Sequence, residues 1–195
     1  AAQLIYNAID TPTVVWRDDA YTNETYTGDD NKTIGQKYMG LEDKDEGILN
    51  SVKKEDGKDT YRIQVGGVGT LTKVEKDYSN LLGQKVKVMF KNGKTNEVLG
   101  VYATADNTIY NTVMNAVDND NGKIKFGGTS YSTDSAITVY IDGTKLVGPK
   151  TAADFDDAAG KQLDSTRPVD NNISADEVTF VDSDDNGKID TAILT

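Results

Sequence analysis

Hydrophobic and polar positions alternate with a period of two along most of this chain, and such a pattern predicts β-strands. The clearest case is Lys85–Lys91, in which apolar side chains alternate mainly with lysines. Asn92-Gly93 comes next, and this dipeptide favours the tight turns that join antiparallel strands. We therefore predict a hairpin whose return strand covers Glu97–Ala103.

The same pattern, interrupted by Asn-Gly or Asp-Gly turn signals, recurs before and after this hairpin. The turn signals are Asp56-Gly57, Asn121-Gly122 and Asp142-Gly143. The further predicted strands are Thr13–Trp16, Gly47–Val52, Thr60–Val65, Thr70–Lys76, Thr108–Val117, Lys123–Phe126, Ala136–Ile141, Glu177–Val181 and Ile189–Leu194.

Helical spacing of apolar residues is confined to short stretches. Ala1–Ile9 fits the last turns of an upstream helix, Thr33–Leu41 fits a short helix, and Thr151–Leu163 is weakly amphipathic. The predicted fold class is mainly β: one or two small antiparallel β-barrel or sandwich modules with a few short helices. The predicted division is an end of an upstream helix (1–10), a first β module (11–104) and a second (105–195), unless the modules pack as one domain.

Composition supports a turn-rich β protein and excludes several kinds of chemistry. The 195 residues include 25 Asp, 22 Thr and 15 Asn, residue types that favour turns and strands over helix interiors. Because the chain has no His and no Cys, it has no Ser-His-Asp triad, no zinc site built on those ligands and no disulfide. A net charge of −11 disfavours nucleic acid as a partner. No apolar run is long enough to predict membrane insertion.

One Asp-rich segment, residues 182–190, resembles a calcium-binding loop in the spacing of its oxygen atoms. Counted from Asp182, side-chain oxygens occur at positions 1, 3, 5 and 9, contributed by Asp182, Asp184, Asn186 and Asp190. Position 7 would add the main-chain carbonyl of Lys188. Carboxylate and carbonyl oxygens are the ligands of hard cations. These five residues are the candidate metal ligands, and Ca²⁺ is the candidate ion.

The same segment also fits a plain solvated hairpin turn. Position 12 is Ile193, where a helix–loop–helix calcium site has a bidentate Glu, and both flanks read as strands. Asn186-Gly187 supplies residues that suit a tight turn by themselves. The sequence therefore leaves both interpretations open, and it excludes an EF-hand.

The remaining motifs favour structural roles. Asp118–Gly122 is a poorer copy of the Asp-rich segment, since Phe126 occupies its ninth position, and turn chemistry explains it. Gly66–Gly69 lacks the Lys-Ser/Thr of a phosphate-binding loop and fits a bend. Asp154, Asp156 and Asp157 lie together on an apparently exposed helix, and no pair of acids can be assigned to glycoside hydrolysis. We predict no catalytic or cofactor-binding residues and no enzyme.

Several blocks of sequence resemble a known family in their order and spacing. AAQLIYNAID is similar to the closing helix of an S-layer homology (SLH) repeat, and TIGQKYMGL resembles a segment found just downstream in SLH-anchored surface proteins of Firmicutes. LLGQKVKVMFKNGKTNEVLGV, ITVYIDGT and VTFVDSDDNGKIDTAIL fit the same pattern. The resemblance covers the chain in patches, from residue 1 to the end.

The resemblance implies a non-enzymatic structural module of a bacterial cell-surface or S-layer protein, directly downstream of the SLH repeats. The implied location is extracellular, at the cell surface or cell wall. The implied partners are other surface-layer subunits, copies of this chain, or cell-wall polymer bound through the SLH region. Calcium would stabilise or bridge such modules. The alternative is a carbohydrate- or cell-wall-polymer-binding module, which requires a groove lined by Tyr or Trp.

Overall fold

The computed structural model describes residues 8–9, 11–17, 20–22, 32–39, 41–91, 94–156, 163 and 177–195. Within these ranges the protein is mainly β with a few short helices, which confirms the predicted fold class. Its described sheets are open and do not close into a barrel. Most of Ala1–Ile9, the Asn92-Gly93 turn and residues 157–162 of the predicted third helix lie outside the described residues.

The described elements comprise fifteen strands, one short α-helix and three 3₁₀ turns. The helical elements are α1 (Ile34–Met39), η1 (Ser79–Leu81), η2 (Met114–Ala116) and η3 (Ala152–Asp154). The strands are β1 (Val15–Arg17), β2 (Ala20–Thr22), β3 (Leu41–Lys54), β4 (Tyr61–Val65), β5 (Gly69–Val74), β6 (Lys85–Lys91), β7 (Lys94–Ala103), β8 (Thr108–Val113), β9 (Asp118–Asp120), β10 (Lys123–Phe126), β11 (Thr129–Tyr131), β12 (Thr133–Ile141), β13 (Thr144–Lys145), β14 (Glu177–Asp182) and β15 (Ile189–Leu194).

The strands form four sheets among the described residues. One sheet has the order β5-β4-β3-β6-β7, a second has the order β13-β12-β15-β14-β8, and the smaller ones are β11-β10-β9 and the β1-β2 pair. In the second sheet β12 and β15 run parallel, with Thr138 opposite Thr191 and Ile141 opposite Leu194. The sequence predicted antiparallel sheets, so this parallel pair is a feature that it did not reveal.

The chain forms two compact units, of which the first comprises residues 1–45 and 88–101. A capping box begins α1 in this unit: the Thr33 backbone N–H donates to Gln36 Oε1 at 2.9 Å, and the Gln36 N–H donates to Thr33 Oγ1 at 3.3 Å. The hydroxyl of buried Thr13 donates to the carbonyl of Lys32 at 2.8 Å. These bonds satisfy backbone groups at the start of the helix that Thr33–Leu41 was predicted to form.

The second unit comprises residues 46–87 and 102–195 and contains a continuous hydrophobic core. One face of the β12–β15–β14 sheet packs against side chains of η2, the β9–β11 sheet and η3. The fully buried aromatic residues here are Phe155 and Phe180. Alternation along β14 explains this packing, because Val178 and Phe180 point to the same face and are 1% and 0% exposed.

Gly83 lies within the second unit against the opposite face of β15. A Cβ added to Gly83 would lie 2.7 Å from Thr191 Cγ2 and 3.2 Å from Ile193 Cδ1, and its φ is +76°. Both the close approach and the left-handed backbone therefore require glycine at this position.

The predicted two-module division at residue 104 stays a prediction.

Two predicted elements differ from expectation where the structure describes them. The strand predicted over Thr108–Val117 ends at Val113, because Met114–Ala116 forms the 3₁₀ turn η2, which buries Met114 completely. The described start of the helix predicted at Thr151–Leu163 is the 3₁₀ turn η3, which begins with the Asp154 carboxylate accepting from the Thr151 N–H at 2.7 Å. No described helix is both long and apolar enough to span a membrane.

Candidate metal centre

The candidate site is the loop between β14 and β15, which is contained in the second unit. Two residues in the loop have left-handed backbone conformations, Asp185 with φ +55° and Gly187 with φ +79°. Asp and Gly tolerate this region better than most residues do. The loop therefore reverses the chain within a few residues and returns it as β15, with Ile189 buried in the core.

Asp182 forms the base of the loop. Its side chain is buried, with 2% of the residue exposed, and its two carboxylate oxygens accept from the backbone N–H groups of Gly187 at 2.8 Å and Asn186 at 3.2 Å. Hydrogen bonds from backbone N–H groups offset part of the cost of burying an ionised carboxylate. Asp182 is therefore a structural residue of the turn, whatever else it binds.

Asp190 lies at the other end of the loop, on β15. Its Oδ2 accepts from both the backbone N–H and the hydroxyl of Ser183 at 2.8 Å, and its Oδ1 accepts from the Thr191 hydroxyl at 2.7 Å. These bonds fix the direction of the carboxylate and connect β15 to Ser183, the first residue of the loop.

The loop brings three of the predicted ligands together. Carboxylate oxygens of Asp182, Asp184 and Asp190 all lie within 4.8 Å of one another. Oxygen ligands lie about 2.3–2.6 Å from Ca²⁺, so two ligands of one ion are separated by at most about 5 Å. The separation of the three oxygens is therefore compatible with a single hard cation between them.

Asn186 and Lys188, the other two predicted ligands, make contacts of their own. Asn186 donates through Nδ2 to Asp184 Oδ2 at 3.0 Å, and its Oδ1 accepts from the Lys188 N–H at 2.8 Å. The Lys188 ammonium lies 3.9 Å from Asp134 Oδ1, outside the loop. To bind a cation, Asn186 would have to turn its amide oxygen toward the carboxylates. The role of the Lys188 carbonyl stays a prediction.

Tyr110, on the neighbouring strand β8, is a residue near the loop that sequence reasoning did not select. Its pKa is raised above the ordinary tyrosine value, first by burial and then by the negative charges of Asp182, Tyr131 and Asp185. The Tyr110 phenol therefore lies near two carboxylates and a second phenol. Tyr110 lies two strand residues from Thr108, which is opposite Asp182, but this register is not visible in the sequence.

An aromatic cluster beside the loop was also missed. Tyr131 stacks on Phe126 with ring centroids 4.4 Å apart, and Tyr110 packs against Tyr131 at 4.6 Å. Phe126 in turn stacks on Phe180 at 5.5 Å. The members come from β8, β10, β11 and β14, which belong to two different sheets, so no local motif connects them and packing of the sheets brings them together.

The second Asp-rich segment, Asp118–Gly122, forms a tight hairpin turn as predicted, with Asn121 at φ +50° and Gly122 at +83°. Asp118 and Asp120 are opposite lysines of β10, and Asp120 Oδ2 accepts from the Ser130 hydroxyl at 2.6 Å. Gly66–Gly69 forms the turn between β4 and β5, in agreement with the predicted bend. Asp157 lies outside the described residues.

Comparison with known proteins finds no match: no family model, no curated protein and no solved structure is significantly similar to this chain. The function must therefore be inferred from the residues and the geometry of the described part of the chain.

Proposed function

We propose that this chain is a non-enzymatic structural module of a bacterial cell-surface protein, and that its β14–β15 loop binds Ca²⁺ as a stabilising ion. The observation that supports the metal site is the convergence of Asp182, Asp184 and Asp190 within 4.8 Å. The surface location rests on the resemblance to SLH-anchored proteins, and the acidic, cysteine-free composition agrees with it.

Charge at the loop supports a cation as the ligand. Three carboxylates at this separation repel each other, and none of the salt bridges among the described residues involves them. The nearest lysine in sequence, Lys188, extends toward Asp134. A divalent cation would offset the repulsion, because it interacts favourably with all three groups at once.

Calcium suits the loop better than magnesium does. Mg²⁺ demands near-ideal octahedral geometry and retains several waters, whereas Ca²⁺ accepts irregular sets of oxygens at longer distances. The oxygens of Asp182 and Asp190 also accept hydrogen bonds from the loop, so their positions are constrained. The irregular geometry favours Ca²⁺. We expect the affinity of the loop for Ca²⁺ to be weak, because the loop lacks a bidentate Glu.

Isothermal titration of the metal-stripped protein with Ca²⁺ tests the metal site. Asp184→Asn is the informative variant, since Asp184 is exposed and its one described hydrogen bond is the one from Asn186. Asp118→Asn is the matched control, with the same change of charge at the other Asp-rich turn. We expect saturable heat from the wild type and the control and none from Asp184→Asn. Heat equal to dilution in all three proteins would contradict the proposal.

The surface location needs a separate test. Antibodies raised against this chain should label intact cells of the source organism, and extraction of the cell wall should release the parent protein. The parent reading frame should contain SLH repeats that end near Ala1. Labelling confined to permeabilised cells would contradict a surface role without affecting the calcium site.

Carbohydrate binding is the second candidate, and one observation favours it. Tyr110 and Tyr131 are half-buried with ring centroids 4.6 Å apart beside the acidic loop, and partly exposed aromatic rings can stack on sugars. Titration with cell-wall polysaccharide fragments, followed by tyrosine fluorescence, tests this function. A saturable change that Tyr131→Ala abolishes would support carbohydrate binding over a purely structural role.

A further inference from the structure

Strand β8 is the edge of the mixed sheet, and its free side can be assigned from the hydrogen-bond pattern. Glu177 exchanges both backbone bonds with Thr195, each at 3.0 Å, so the Glu177 backbone faces β15. Along a strand the N–H and C=O groups of successive residues face alternate neighbours. Val178 and Phe180 therefore face β8, where they are opposite Thr112 and Tyr110.

The intervening residues of β8 must then face away from the sheet. These are Ile109, Asn111 and Val113, and within the described ranges no hydrogen bond reaches their backbone groups. Their side chains share one face, and Ile109 and Val113 are 43% and 40% exposed. An edge with free backbone groups and exposed apolar side chains is a template for pairing with another strand.

We infer that β8 pairs with β8 of a second copy of this chain, antiparallel, with Asn111 opposite Asn111. In this register Ile109 is opposite Val113 of the second copy, and the reverse pair follows by symmetry. The residues that pair directly are those whose backbone groups are free, so about six backbone hydrogen bonds can form. A self-complementary patch of this kind is what a two-fold dimer requires.

The charge distribution selects a second copy as the occupant. β8 has the sequence TIYNTV and no charged side chain, in a chain whose net charge is −11. Two copies repel each other over most of their surfaces, but not along this strand. The acids nearest to the strand in sequence, Asp106 and Asp118, both lie outside the paired segment Ile109–Val113.

The side chain of Asn111 also fits the symmetric pair. Its Oδ1 accepts from the Thr179 hydroxyl at 2.8 Å, which fixes the amide on the exposed face of the sheet. The Nδ2 donors remain available to the Asn111 of the second copy. The neighbouring registers would put Asn111 opposite Ile109 or Val113, and would thus place an amide against an aliphatic side chain.

Cysteine crosslinking tests the register directly, because the chain has no cysteine of its own. Directly opposed residues have Cα atoms about 5.5 Å apart, within the range of a disulfide. The two copies of Ile109 would be about 13 Å apart, beyond that range. We expect Asn111→Cys to form a disulfide-linked dimer on oxidation. Ile109→Cys alone and the exposed-site control Val147→Cys should not form one. A mixture of Ile109→Cys with Val113→Cys should form the disulfide-linked heterodimer.

Sedimentation of the uncrosslinked protein gives an independent measurement. We expect a concentration-dependent dimer that strengthens with added salt, since salt screens the repulsion between copies. Ile109→Lys should raise the dimer dissociation constant by about tenfold or more, whereas Val147→Lys, which introduces the same charge at a fully exposed residue, should leave it within about twofold.

The outcomes separate this inference from the calcium proposal. The dimer should persist in EDTA, because no residue of the β14–β15 loop belongs to the paired strand. A monomer at every concentration together with equal crosslinking of Asn111→Cys and Val147→Cys would overturn the inference. A dimer that EDTA dissolves would also overturn it, since association would then depend on the metal.

Discussion

The second unit contains two Asp-rich turns of similar composition that the chain uses differently. In the hairpin of β9 and β10, a tight turn places Asp118 opposite Lys125 and Asp120 opposite Lys123. In the β14–β15 loop the acids converge on one another, and the lysine of the loop extends away to Asp134. In this protein an acidic turn forms a candidate cation site where the loop is long and the ninth position of the motif is an acid. The carboxylates then point toward one another.

The difference has a physical origin in the number of residues between the strands. The tight turn leaves Asp118 and Asp120 inside β9, where side chains alternate between faces and meet cross-strand partners. The longer loop folds back over the buried Asp182, which accepts backbone N–H bonds from Gly187 and Asn186. Parallel substitutions at the two turns test whether this difference in loop length decides how the acids are used.

The largest effect is expected from Asp182→Ala. Removing this buried carboxylate leaves the backbone N–H groups of Gly187 and Asn186 without their acceptor, which costs about 2–4 kcal/mol of the free energy of unfolding. Asp118→Ala removes only an exposed cross-strand partner of Lys125 and should cost less than about 1 kcal/mol. Urea unfolding of both variants in EDTA measures the difference, and equal losses would contradict a structural role for Asp182.

Calcium should have the next largest effect. A ligand at a hundred times its dissociation constant stabilises the folded state by about 2.7 kcal/mol. We expect Ca²⁺ to raise the free energy of unfolding by this amount in wild type and in Asp118→Asn, but not in Asp184→Asn. EDTA should reverse the gain, and thermal or urea unfolding measures both effects. Stabilisation that Asp184→Asn retains in full would place the ion elsewhere in the chain.

Gly187→Ala and Gly122→Ala should lose similar amounts of stability. Both glycines have left-handed φ values, +79° and +83°, and no atom lies within 4 Å of an added Cβ. The cost is therefore that of the backbone conformation alone, about 1 kcal/mol each. A much larger loss at Gly187, measured by urea unfolding in EDTA, would show that the two turns differ in backbone strain as well as in the arrangement of their carboxylates.

The smallest effect concerns the ionisation of Tyr110. Burial raises its pKa most, and the charges of Asp182, Tyr131 and Asp185 raise it further. Asp185→Asn and bound Ca²⁺ should each lower this pKa, seen as the difference in ultraviolet titration between each protein and its Tyr110→Phe counterpart. A pKa that does not respond to either change would contradict the proximity of the phenol to the loop.

The sign of the accompanying stability change follows from the direction of the shift. Because the pKa of Tyr110 is higher in the folded than in the unfolded protein, its contribution to stability is complete below about pH 10. The contribution is lost as pH rises through the folded-state pKa. Tyr110→Phe should therefore remove part of the alkaline loss of stability, measured by urea unfolding at pH 9 to 11.

Local chemistry explains which parts of the fold could be predicted from the sequence. The hairpins at Asp56-Gly57, Asn121-Gly122 and the β14–β15 loop were predicted because turn residues and alternating strands are adjacent in the chain. The spacing of Asp182, Asp184 and Asp190 predicted a cluster that the structure does bring together.

Non-local pairing explains what could not be predicted. The parallel pair of β12 and β15 joins residues about fifty positions apart, and parallel pairing has no turn signal. The place of Tyr110 beside Phe180 and the loop depends on the pairing of β8 with β14, which are also distant in the chain. The hydrogen bond from Asn186 to Asp184 depends on a side-chain orientation that spacing alone does not determine.

One measurement compares the two turns in a single sample: the backbone amide chemical shifts of ¹⁵N-labelled protein during a titration with Ca²⁺. The Gly187 N–H donates to Asp182 Oδ2 and so reports on that carboxylate directly, while Gly122 N–H reports on the other turn at Asn119 Oδ1. We predict a saturable shift of the Gly187 amide and a small, unsaturated shift of the Gly122 amide. Equal, unsaturated shifts at both glycines would contradict a calcium site in the β14–β15 loop.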